Sequence, residues 1–337
     1  YTMDGFGDGA NGTVSIYEPG NKLIEISRSS NCNLGRMYRY ATLLLGMRPA
    51  EHEYKLMGLA PYGEPIYAKK IKDNIVNIRE DGSFELNMSF FDFCTSTRMT
   101  SQKFNHLFNG PPRTPEGPLT KRELNLASSV QKVTEEIVLK LARTLRKETS
   151  KKYLCLSGGV ALNCVANGKL LKEKIFEDIW IQPASGDAGS SLGAALIGWH
   201  INLNKPRQVL KNDSMKGTYL GCNFSNKEII KYLNKINAPF ESLNDDLLFK
   251  KLAKILEEGK VVGWFNGPME FGPRALGGRS IIGDPRNKKM QSTMNLKIKY
   301  RESFRPFAPS VLEEDVSKQF EIVTKSPYML LVAPVKK

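Results

Sequence analysis

Apolar and polar residues alternate in two adjacent stretches near the start of the chain, GTVSIYE and KLIEISR, which the sequence EPGN connects. Alternation of this kind, interrupted by a turn that contains Pro and Gly, predicts a β-hairpin. Further along, apolar residues recur every three or four positions, at Val130, Val133, Ile137, Leu141 and Leu145. This repeat predicts a helix over about residues 121–149, with one face packed on a core.

The middle of the chain contains two short apolar runs that each lead into a glycine-rich turn. The first, at residues 153–156, continues into the turn SGG and a predicted helix from about Val160. The second predicts a strand at 178–182, a loop PASGDAGS and a helix at 190–200. Two consecutive strand–turn–helix units indicate an α/β domain that binds its ligand at the carboxyl ends of the strands.

The remaining pattern divides the chain into two domains. Residues 66–120 are rich in turn residues and show no clear period, so we expect an irregular, peripheral segment. A polar stretch at 206–217 predicts a linker, and it is followed by two amphipathic helices, NKEIIKYLNKI and DLLFKKLAKILEEGK, and by a strand, VVGWFNG. The predicted domains are therefore residues 1–205 and residues 218–337.

Both ends of the chain lie inside apolar, strand-like sequences, YTMDGFGDG and SPYMLLVAPVKK, and the first residue is not Met. We expect from this that the chain is truncated at both ends. No apolar run reaches the roughly 18 residues that a membrane-spanning helix needs. The five cysteines are scattered and never spaced as C-x-x-C, which predicts reduced thiols and a cytoplasmic protein.

Positive charge is concentrated in the second predicted domain. The formal charge of the whole chain is +14, and the stretch from Lys260 to Arg305 holds ten Lys or Arg residues against three acidic ones. Glycines and prolines are interleaved with these charges. A basic, glycine-rich cluster can bind the phosphates of a nucleotide or of nucleic acid. A solvated basic face remains the alternative.

Six motifs, in order along the chain, resemble those of the NodU/CmcH-type O-carbamoyltransferases. They are MDGFGDG, EYKLMGLAPYG, LCLSGGVALNCVANGKLL, QPASGDAGSSLGAAL, GKVVGWFNGPMEFGPRALGGRSIIGDPR and KIKYRESFRPFAPSVL. The resemblance covers essentially the whole chain and is weakest over residues 66–125. It implies an α/β fold, in which the second half of an actin/Hsp70/sugar-kinase-like (ASKHA) domain precedes a YrdC-like α/β domain.

The resemblance also implies an activity. Members of this family transfer a carbamoyl group from carbamoyl phosphate to a hydroxyl group of a small metabolite, such as an antibiotic or a nodulation factor. They consume ATP and form a carbamoyl-adenylate in the YrdC-like domain, and the first domain, which holds a metal ion, transfers the group. The implied partners are ATP, carbamoyl phosphate and a hydroxyl acceptor. No membrane partner is expected, nucleic acid is disfavoured, and a homodimer is left open.

The second domain should hold two phosphorylated reactants together, which requires several fixed cations. Arginine suits this purpose because its planar group binds two phosphate oxygens at once. The residues that the resemblance implies are Lys299, Arg301 and Arg274 for catalysis, and Arg279, Arg305 and Gly272 for binding the substrate and its phosphate. The alternative is that Lys299 and Arg301 are surface residues of an edge strand.

Two charged neighbours of these residues are expected to be structural. We expect Glu270 to pair with one of the arginines. We expect Arg286, in the turn GDPRNKK, to be a solvated turn residue.

In the first domain, the implied metal ligands are Asp4 and Asp187, and the implied nucleotide-binding residues are Gly158, Gly159, Asn163 and Gly186. Iron is the expected metal, with Mg²⁺ accompanying the nucleotide. The family completes its metal site with a histidine pair that this chain does not contain, so the expected ligand set is incomplete. Three alternatives stay open: a helix N-cap role for Asp187, a turn role for Asp8, and a tight turn without a ligand at the two adjacent glycines.

Two other functions remain open at this point. A tRNA threonylcarbamoyl-type modification protein would explain the positive charge through phosphate contacts. A nucleotide-binding remnant without turnover would explain the missing histidine pair. The sequence does not identify the acceptor.

Overall fold

The computed structural model of the chain describes residues 1–7, 9–20, 22–30, 34–92 and 100–336. These residues form two compact units. The first unit contains residues 1–207 together with Leu330–Val335, and the second contains Gln208–Met329. Both units combine helices with small sheets, so the predicted mixed α/β character is confirmed. Asp8, and two of the five cysteines, lie outside the described residues, and the three described cysteines form no disulfide.

The strands of the first unit are β1 (Thr2–Gly7), β2 (Ala10–Glu18), β3 (Lys22–Ser29), β4 (Val76–Ile78), β5 (Phe84–Leu86), β6 (Tyr153–Leu156) and β7 (Asp178–Ile181). β2 pairs antiparallel with β3, which confirms the predicted hairpin, and β1 pairs antiparallel with β2. β6 and β7 pair in parallel. A parallel bridge between Thr2 and Ser157 joins β1 to the end of β6. The three-stranded sheet β1-β2-β3 and the two-stranded sheet β6-β7 are thus joined by this bridge.

The helices of the first unit are α1 (Leu34–Leu44), α2 (Glu53–Leu59), α3 (Ala68–Asn74), α4 (Gln102–Leu107), α5 (Lys121–Thr149), α6 (Cys164–Lys172) and α7 (Asp187–Ile197). The bounds of α5 confirm the predicted long helix. Its start is fixed by a capping box, in which Thr120 and Glu123 bond to each other's backbone N–H groups. Its end is fixed by Ser150 in the left-handed conformation.

The core of the first unit forms around α5. Val133 and Ile137 on this helix are fully buried. The segment at residues 66–120 also contributes to the core, since its residues Ile71, Phe104 and Phe108 are buried. The prediction of a peripheral segment at residues 66–120 is therefore wrong, since its apolar residues complete this core. A cavity of about 20 Å³ remains here, lined by apolar side chains, and such a space stays dry.

The second unit contains α8 (Asn226–Lys235), α9 (Asp245–Glu257), β8 (Val262–Phe265), β9 (Arg279–Ile282), α10 (Met290–Thr293) and α11 (Val316–Gln319). α8, α9 and β8 confirm the two predicted helices and the predicted strand. The side chains of Ser225 and Asn244 cap α8 and α9, because each accepts a backbone N–H of the first turn.

The segment predicted as a linker is partly folded. Asp213 accepts the backbone N–H groups of Met215 at 3.0 Å and of Gly217 at 2.8 Å, and it also accepts the hydroxyl group of Tyr328. Burial alone would raise the pKa of Asp213, but these hydrogen bonds lower it below its ordinary value. The predicted linker is therefore fastened to the second unit by its own side chain.

Helices that are both long and apolar enough to cross a bilayer do not occur in the described parts of the chain.

Candidate functional site

The first unit brings β1 and the turn after β6 side by side. The N–H of Met3 donates to the carbonyl oxygen of Ser157 at 2.9 Å, and the N–H of Ser157 donates to that of Tyr1 at 3.0 Å. Because β1 continues past the end of β6, Asp4 lies beside this turn. One carboxylate oxygen of Asp4 accepts the N–H of Gly159 at 3.2 Å. The predicted metal ligand and the predicted nucleotide-binding turn are therefore neighbours.

Gly158 connects the same turn to the loop that follows β7, since its N–H donates to the carbonyl oxygen of Ser185 at 2.9 Å. The φ angle of Gly158 is +89°, and a Cβ atom here would lie 2.1 Å from the carbonyl oxygen of Met3. Only glycine fits such a close approach of backbones. Packing alone thus explains the glycine, and a nucleotide-binding role for it stays a prediction.

The loop after β7 ends at the start of α7. Gly186 is the N-cap of this helix and Asp187 is its first residue, so the alternative that Asp187 caps a helix from near residue 190 is wrong. Among the residues that the structure describes, no side chain caps the helix start and nothing lies within 4 Å of a Cβ atom at Gly186, and Asp187 is exposed. The start of α7 therefore carries the partial positive charge of a helix N-terminus, although the N–H of Gly189 is already bonded to the carbonyl oxygen of Gly186.

Asn163 faces the interior instead of this edge. Its amide oxygen accepts the N–H of Ala166 at 3.0 Å and the Nε2 group of Gln131 at 3.1 Å. Its nitrogen donates to Oε1 of Gln131 at 3.0 Å, and the residue is only 9% exposed. Asn163 is thus the N-cap of α6 and half of a buried amide pair. This geometry does not support the predicted contact with a ribose or base.

The amide pair belongs to a buried polar network behind the turn. The hydroxyl group of Tyr38 donates to Oε1 of Gln131 at 2.8 Å, and Nε2 of Gln131 donates to Glu135 at 3.0 Å. Glu135 also pairs with Lys169. Burial raises the pKa of the Tyr38 hydroxyl well above its ordinary value, so it stays protonated and donates. The network fixes α1, α5 and α6 to one another.

A metal site is not complete in this edge. Among the described residues, no three His, Cys, Asp or Glu side chains lie close enough to hold a metal ion. The two oxygens of Asp4 already accept the N–H groups of Gly5 and Gly159. The described residues do not by themselves fit the predicted iron site, and no chemical step is assigned to a metal here.

In the second unit, β8 and β9 form an antiparallel hairpin with a long connection. We call residues 266–279 the arginine loop, because they include Arg274 and Arg279. The N–H of Asn266 donates to the carbonyl oxygen of Gly278 at 2.9 Å, which closes the base of the loop. The arginine loop is also bonded to the segment before α8, because the N–H of Phe271 donates to the carbonyl oxygen of Thr218 at 2.7 Å.

Glu270 holds the far part of this loop. Its Oε1 atom accepts the backbone N–H groups of Leu276 at 2.8 Å, Gly278 at 2.7 Å and Arg279 at 3.2 Å. Burial alone would raise the pKa of Glu270, but hydrogen bonds from backbone N–H groups, these three and that of Glu270 itself, lower it. The structural role predicted for Glu270 is present, although its partners are backbone N–H groups and not the expected guanidinium group.

Arg279 is held in place through one of its three nitrogens. Nη1 donates to the carbonyl oxygens of Asn266 at 3.3 Å, Gly267 at 3.0 Å and Gly278 at 2.7 Å. The guanidinium carbon lies 3.3 Å from the centre of the Phe265 ring. Within the described chain, Nε and Nη2 have no hydrogen-bond partner. Arg279 is thus oriented and keeps two donors for an anion.

Arg301 and Arg305 are brought together by Asn295, which is fully buried. Oδ1 of Asn295 accepts Nε of Arg301 at 2.6 Å, and Nδ2 donates to the carbonyl oxygen of Arg305 at 2.8 Å. The Arg301 guanidinium lies 4.7 Å from the Phe307 ring centre, and Nη1 of Arg305 lies 3.5 Å from Glu302. These two predicted site residues therefore share one buried anchor.

The other predicted residues of the second unit are placed as follows. Lys299 is exposed and ends a π-helical turn, Met294–Ile298, so the alternative that it lies on an edge strand is wrong. Arg274 is half-buried within the arginine loop, and Gly272 has a φ angle of +137° there. Arg286 is exposed and pairs with Asp284 at 2.8 Å, as expected of a solvated turn residue.

The sequence did not reveal three residues that contact the candidate site residues, namely Asn295, Phe265 and Gln131. Asn295 lies in the stretch MQSTMNLKIKY, where a single Asn carries no pattern that distinguishes a buried anchor from a surface residue. Phe265 ends the apolar strand before the arginine loop, and an aromatic residue there is a weak signal for stacking on a guanidinium group.

The chain matches two models of one family. The model described as carbamoyltransferase N-terminus matches residues 1–196, and the model described as carbamoyltransferase C-terminus matches residues 253–337. The first match alone spans more than half of the chain. The protein therefore belongs to the carbamoyltransferase family, as its motifs predicted.

Individual relatives agree with this assignment. The chain is 55% identical to the protein sll1178 of Synechocystis sp., over 99% of the chain and 55% of the relative. It is 34% identical to Nodulation protein NolNO of Sinorhizobium fredii, over 99% of the chain and 48% of the relative. It is also 34% identical to Nodulation protein NolO of Bradyrhizobium diazoefficiens, over 59% of that protein. The chain spans about half the length of these relatives.

Proposed function

We propose that the chain takes part in an ATP-dependent carbamoyl transfer. In this proposal, a carbamoyl group moves from carbamoyl phosphate, through a carbamoyl-adenylate, to a hydroxyl group of a small metabolite. The observation that carries the proposal is the arginine loop, in a chain of the carbamoyltransferase family. Its Arg279 is fixed by backbone carbonyl groups and an aromatic ring, and two of its nitrogens remain for a ligand.

In the second unit, the proposed ligands of phosphate are Arg274, Arg279, Arg301, Arg305 and Lys299. In this proposal, water first cleaves carbamoyl phosphate into carbamate and inorganic phosphate. An oxygen of the carbamate then bonds to the α-phosphorus of ATP, the bond between the α- and β-phosphates breaks, and pyrophosphate leaves with the electron pair of that bond. Fixed guanidinium groups would stabilise the negative charge that develops on the leaving group. Arg301 suits this role because the buried Asn295 holds its Nε atom, so the side chain is oriented before a ligand arrives.

In the first unit, the proposed nucleotide site is the edge formed by Asp4, the turn at Gly159 and the start of α7. The N-terminus of α7 supports an anion there. Asp4 would be a single ligand of the Mg²⁺ that accompanies the nucleotide, in addition to the N–H groups that its oxygens already accept. The ASKHA-like and YrdC-like identities of the two units, their division near residues 205 and 218, and a cytoplasmic location belong to the same proposal.

The test is to incubate the purified chain with ATP and carbamoyl phosphate, then to measure pyrophosphate and detect carbamoyl-adenylate by mass spectrometry. Arg301→Ala should lower the rate of pyrophosphate release at least about 100-fold, since it removes an oriented cation. The matched control is Arg286→Ala, an exposed arginine of the same unit that pairs locally, which should leave the rate unchanged. Thermal unfolding of both variants checks that they fold.

Equal rates for the Arg301→Ala variant and the wild type would remove Arg301 from the site. A wild-type chain that releases no pyrophosphate would contradict the adenylate-forming activity as a whole. Binding of tRNA that weakens steeply as salt is raised would instead favour the tRNA-modifying alternative.

A further inference from the structure

We infer that Glu270 is a positioning residue, which shapes the arginine loop so that Arg279 faces a phosphorylated ligand. The inference rests on the proposed function, because the ligand is the phosphate of ATP or carbamoyl phosphate. Glu270 lies among the cations of the proposed site, but its negative charge would repel a phosphate that touched it. The inference assigns a role to this carboxylate.

The geometry separates this role from direct binding. One oxygen of Glu270 gathers three backbone N–H groups, from Leu276, Gly278 and Arg279, within 2.7–3.2 Å. A Cβ atom at Gly278 would lie 3.0 Å from the other carboxylate oxygen, Oε2, so the loop is folded closely around the carboxylate. Such a ring of N–H groups is a site for an anion, and the chain supplies that anion itself.

The far part of the loop, residues 276–279, depends on this anchor, whereas the near part is held by backbone bonds of Met269 and Phe271 to residues 218–222. Gly272 and Gly277 have φ angles of +137° and +108°, conformations that only glycine adopts readily. Glycine also loses more conformational entropy on folding than any other residue, so the loop needs hydrogen bonds that offset this loss. Glu270 supplies three such bonds, and Tyr219 adds one through the carbonyl oxygen of Leu276.

Glu270 bonds directly to Arg279. Glu270 holds the backbone N–H of Arg279, while Nη1 of the same residue holds the carbonyl oxygens of Asn266, Gly267 and Gly278. Both ends of Arg279 are thereby fixed by the two sides of one loop. If the carboxylate were lost, the N–H groups would turn to water and the guanidinium group would lose its fixed direction.

The test uses the full chain and three variants. Glu270→Gln keeps the length of the side chain and removes its charge, and Glu270→Ala removes both. Glu258→Gln is the matched control, because this glutamate belongs to the same unit and pairs with Lys260 on the surface. The first measurement is amide hydrogen exchange in the peptide that covers residues 274–280. We expect exchange to accelerate about tenfold or more in Glu270→Gln, more in Glu270→Ala, and not in the control.

The second measurement is the affinity of each variant for carbamoyl phosphate and for ATP. We expect Glu270→Gln to weaken binding about tenfold, and Arg279→Ala to weaken it by a similar factor. The double variant should be little weaker than either single variant, because both changes remove the same oriented guanidinium group.

The outcomes separate the inference from the proposed function. A wild-type chain that binds neither ligand contradicts the proposed function, and faster exchange in Glu270→Gln would then still support the shaping of the loop. Unchanged exchange in Glu270→Gln overturns the inference even if the wild type binds both ligands. Tighter phosphate binding by Glu270→Ala also overturns it, because the carboxylate would then be a competitor for the N–H groups.

Discussion

Gly158 lies where backbone segments from three parts of the first unit meet, and the space of a side chain is taken by the carbonyl oxygen of Met3. We therefore expect Gly158→Ala to cost about 3 kcal/mol or more of unfolding free energy, since a backbone must shift and the φ angle is unfavourable. The measurement is chemical denaturation. Gly186→Ala is the control, because nothing lies within 4 Å of its Cβ position, and it should cost no more than about 1 kcal/mol.

For single residues, the sequence predicts local backbone requirements better than it predicts contacts between distant side chains. The turn SGG is readable because a tight strand-to-helix turn needs glycine wherever it occurs. The amide pair of Asn163 and Gln131 is not readable, since the partners lie far apart in the sequence and meet only when α5 packs against α6. For this reason Asn163 resembled a ligand of a nucleotide, although its side chain is occupied inside the protein.

Among the elements, α5 shows how a local signal can define a helix. Glu123 accepts the N–H of Thr120 at 3.0 Å and its hydroxyl group at 2.5 Å, and it lies 3.2 Å from Arg122. Burial alone would raise the pKa of Glu123, but these partners lower it. A carboxyl whose pKa is lowered by folding stabilises the protein at pH values above its ordinary pKa, and loses this effect as the pH falls through the lowered pKa.

We therefore expect Glu123→Gln to lower the free energy of unfolding by about 1 kcal/mol at neutral pH. The difference from the wild type should shrink from about pH 5 downward, as the wild-type carboxyl becomes protonated. Denaturation curves over a pH series measure it. Glu148→Gln, near the exposed end of the same helix, should show no loss at any pH, because a negative charge is unfavourable at a helix C-terminus. A constant difference for Glu123→Gln would contradict the assigned cause.

The elements that the sequence predicted wrongly lacked such local signals. Residues 66–120 bury Ile71, Phe104 and Phe108 in the core, but these residues are spaced among turn residues and follow no period. Lys299 lies within an alternating stretch, LKIKY, which favours a strand in isolation. In the structure this stretch continues a helix, since the side chains of Met294 and Asn295 pack inside the second unit.

For the whole molecule, the main feature is the path of the chain between the units. The chain leaves the first unit after Arg207 and returns to it at Leu330. Leu330 is 4% exposed, and its carbonyl oxygen accepts Nδ2 of Asn167 at 3.1 Å. A Cβ atom at Gly168 would lie 2.2 Å from the carbonyl oxygen of Val332. No pattern in the sequence signals this return, and the predicted second domain continues to the end of the chain.

We expect Leu330→Ala to lower the free energy of unfolding of the first unit by about 2–4 kcal/mol, because it leaves a cavity against α6. Hydrogen exchange resolved by peptide should show faster exchange in residues 164–172 and no change in residues 245–257. Val335→Ala is the control, since this side chain is 67% exposed and should leave both peptides unchanged. Faster exchange in the second unit alone would contradict the assignment of Leu330 to the first.

This return has a consequence for the order in which the protein is made. A ribosome delivers residues 1–207 first, but the piece that covers α6 arrives only after residues 208–329 have been synthesised. At ordinary rates of translation this delay is on the order of ten seconds. During that interval α6 lacks the backbone contacts that Leu330 and Val332 make with Asn167 and Gly168, so the packing of the first unit is completed only after the second unit has been synthesised.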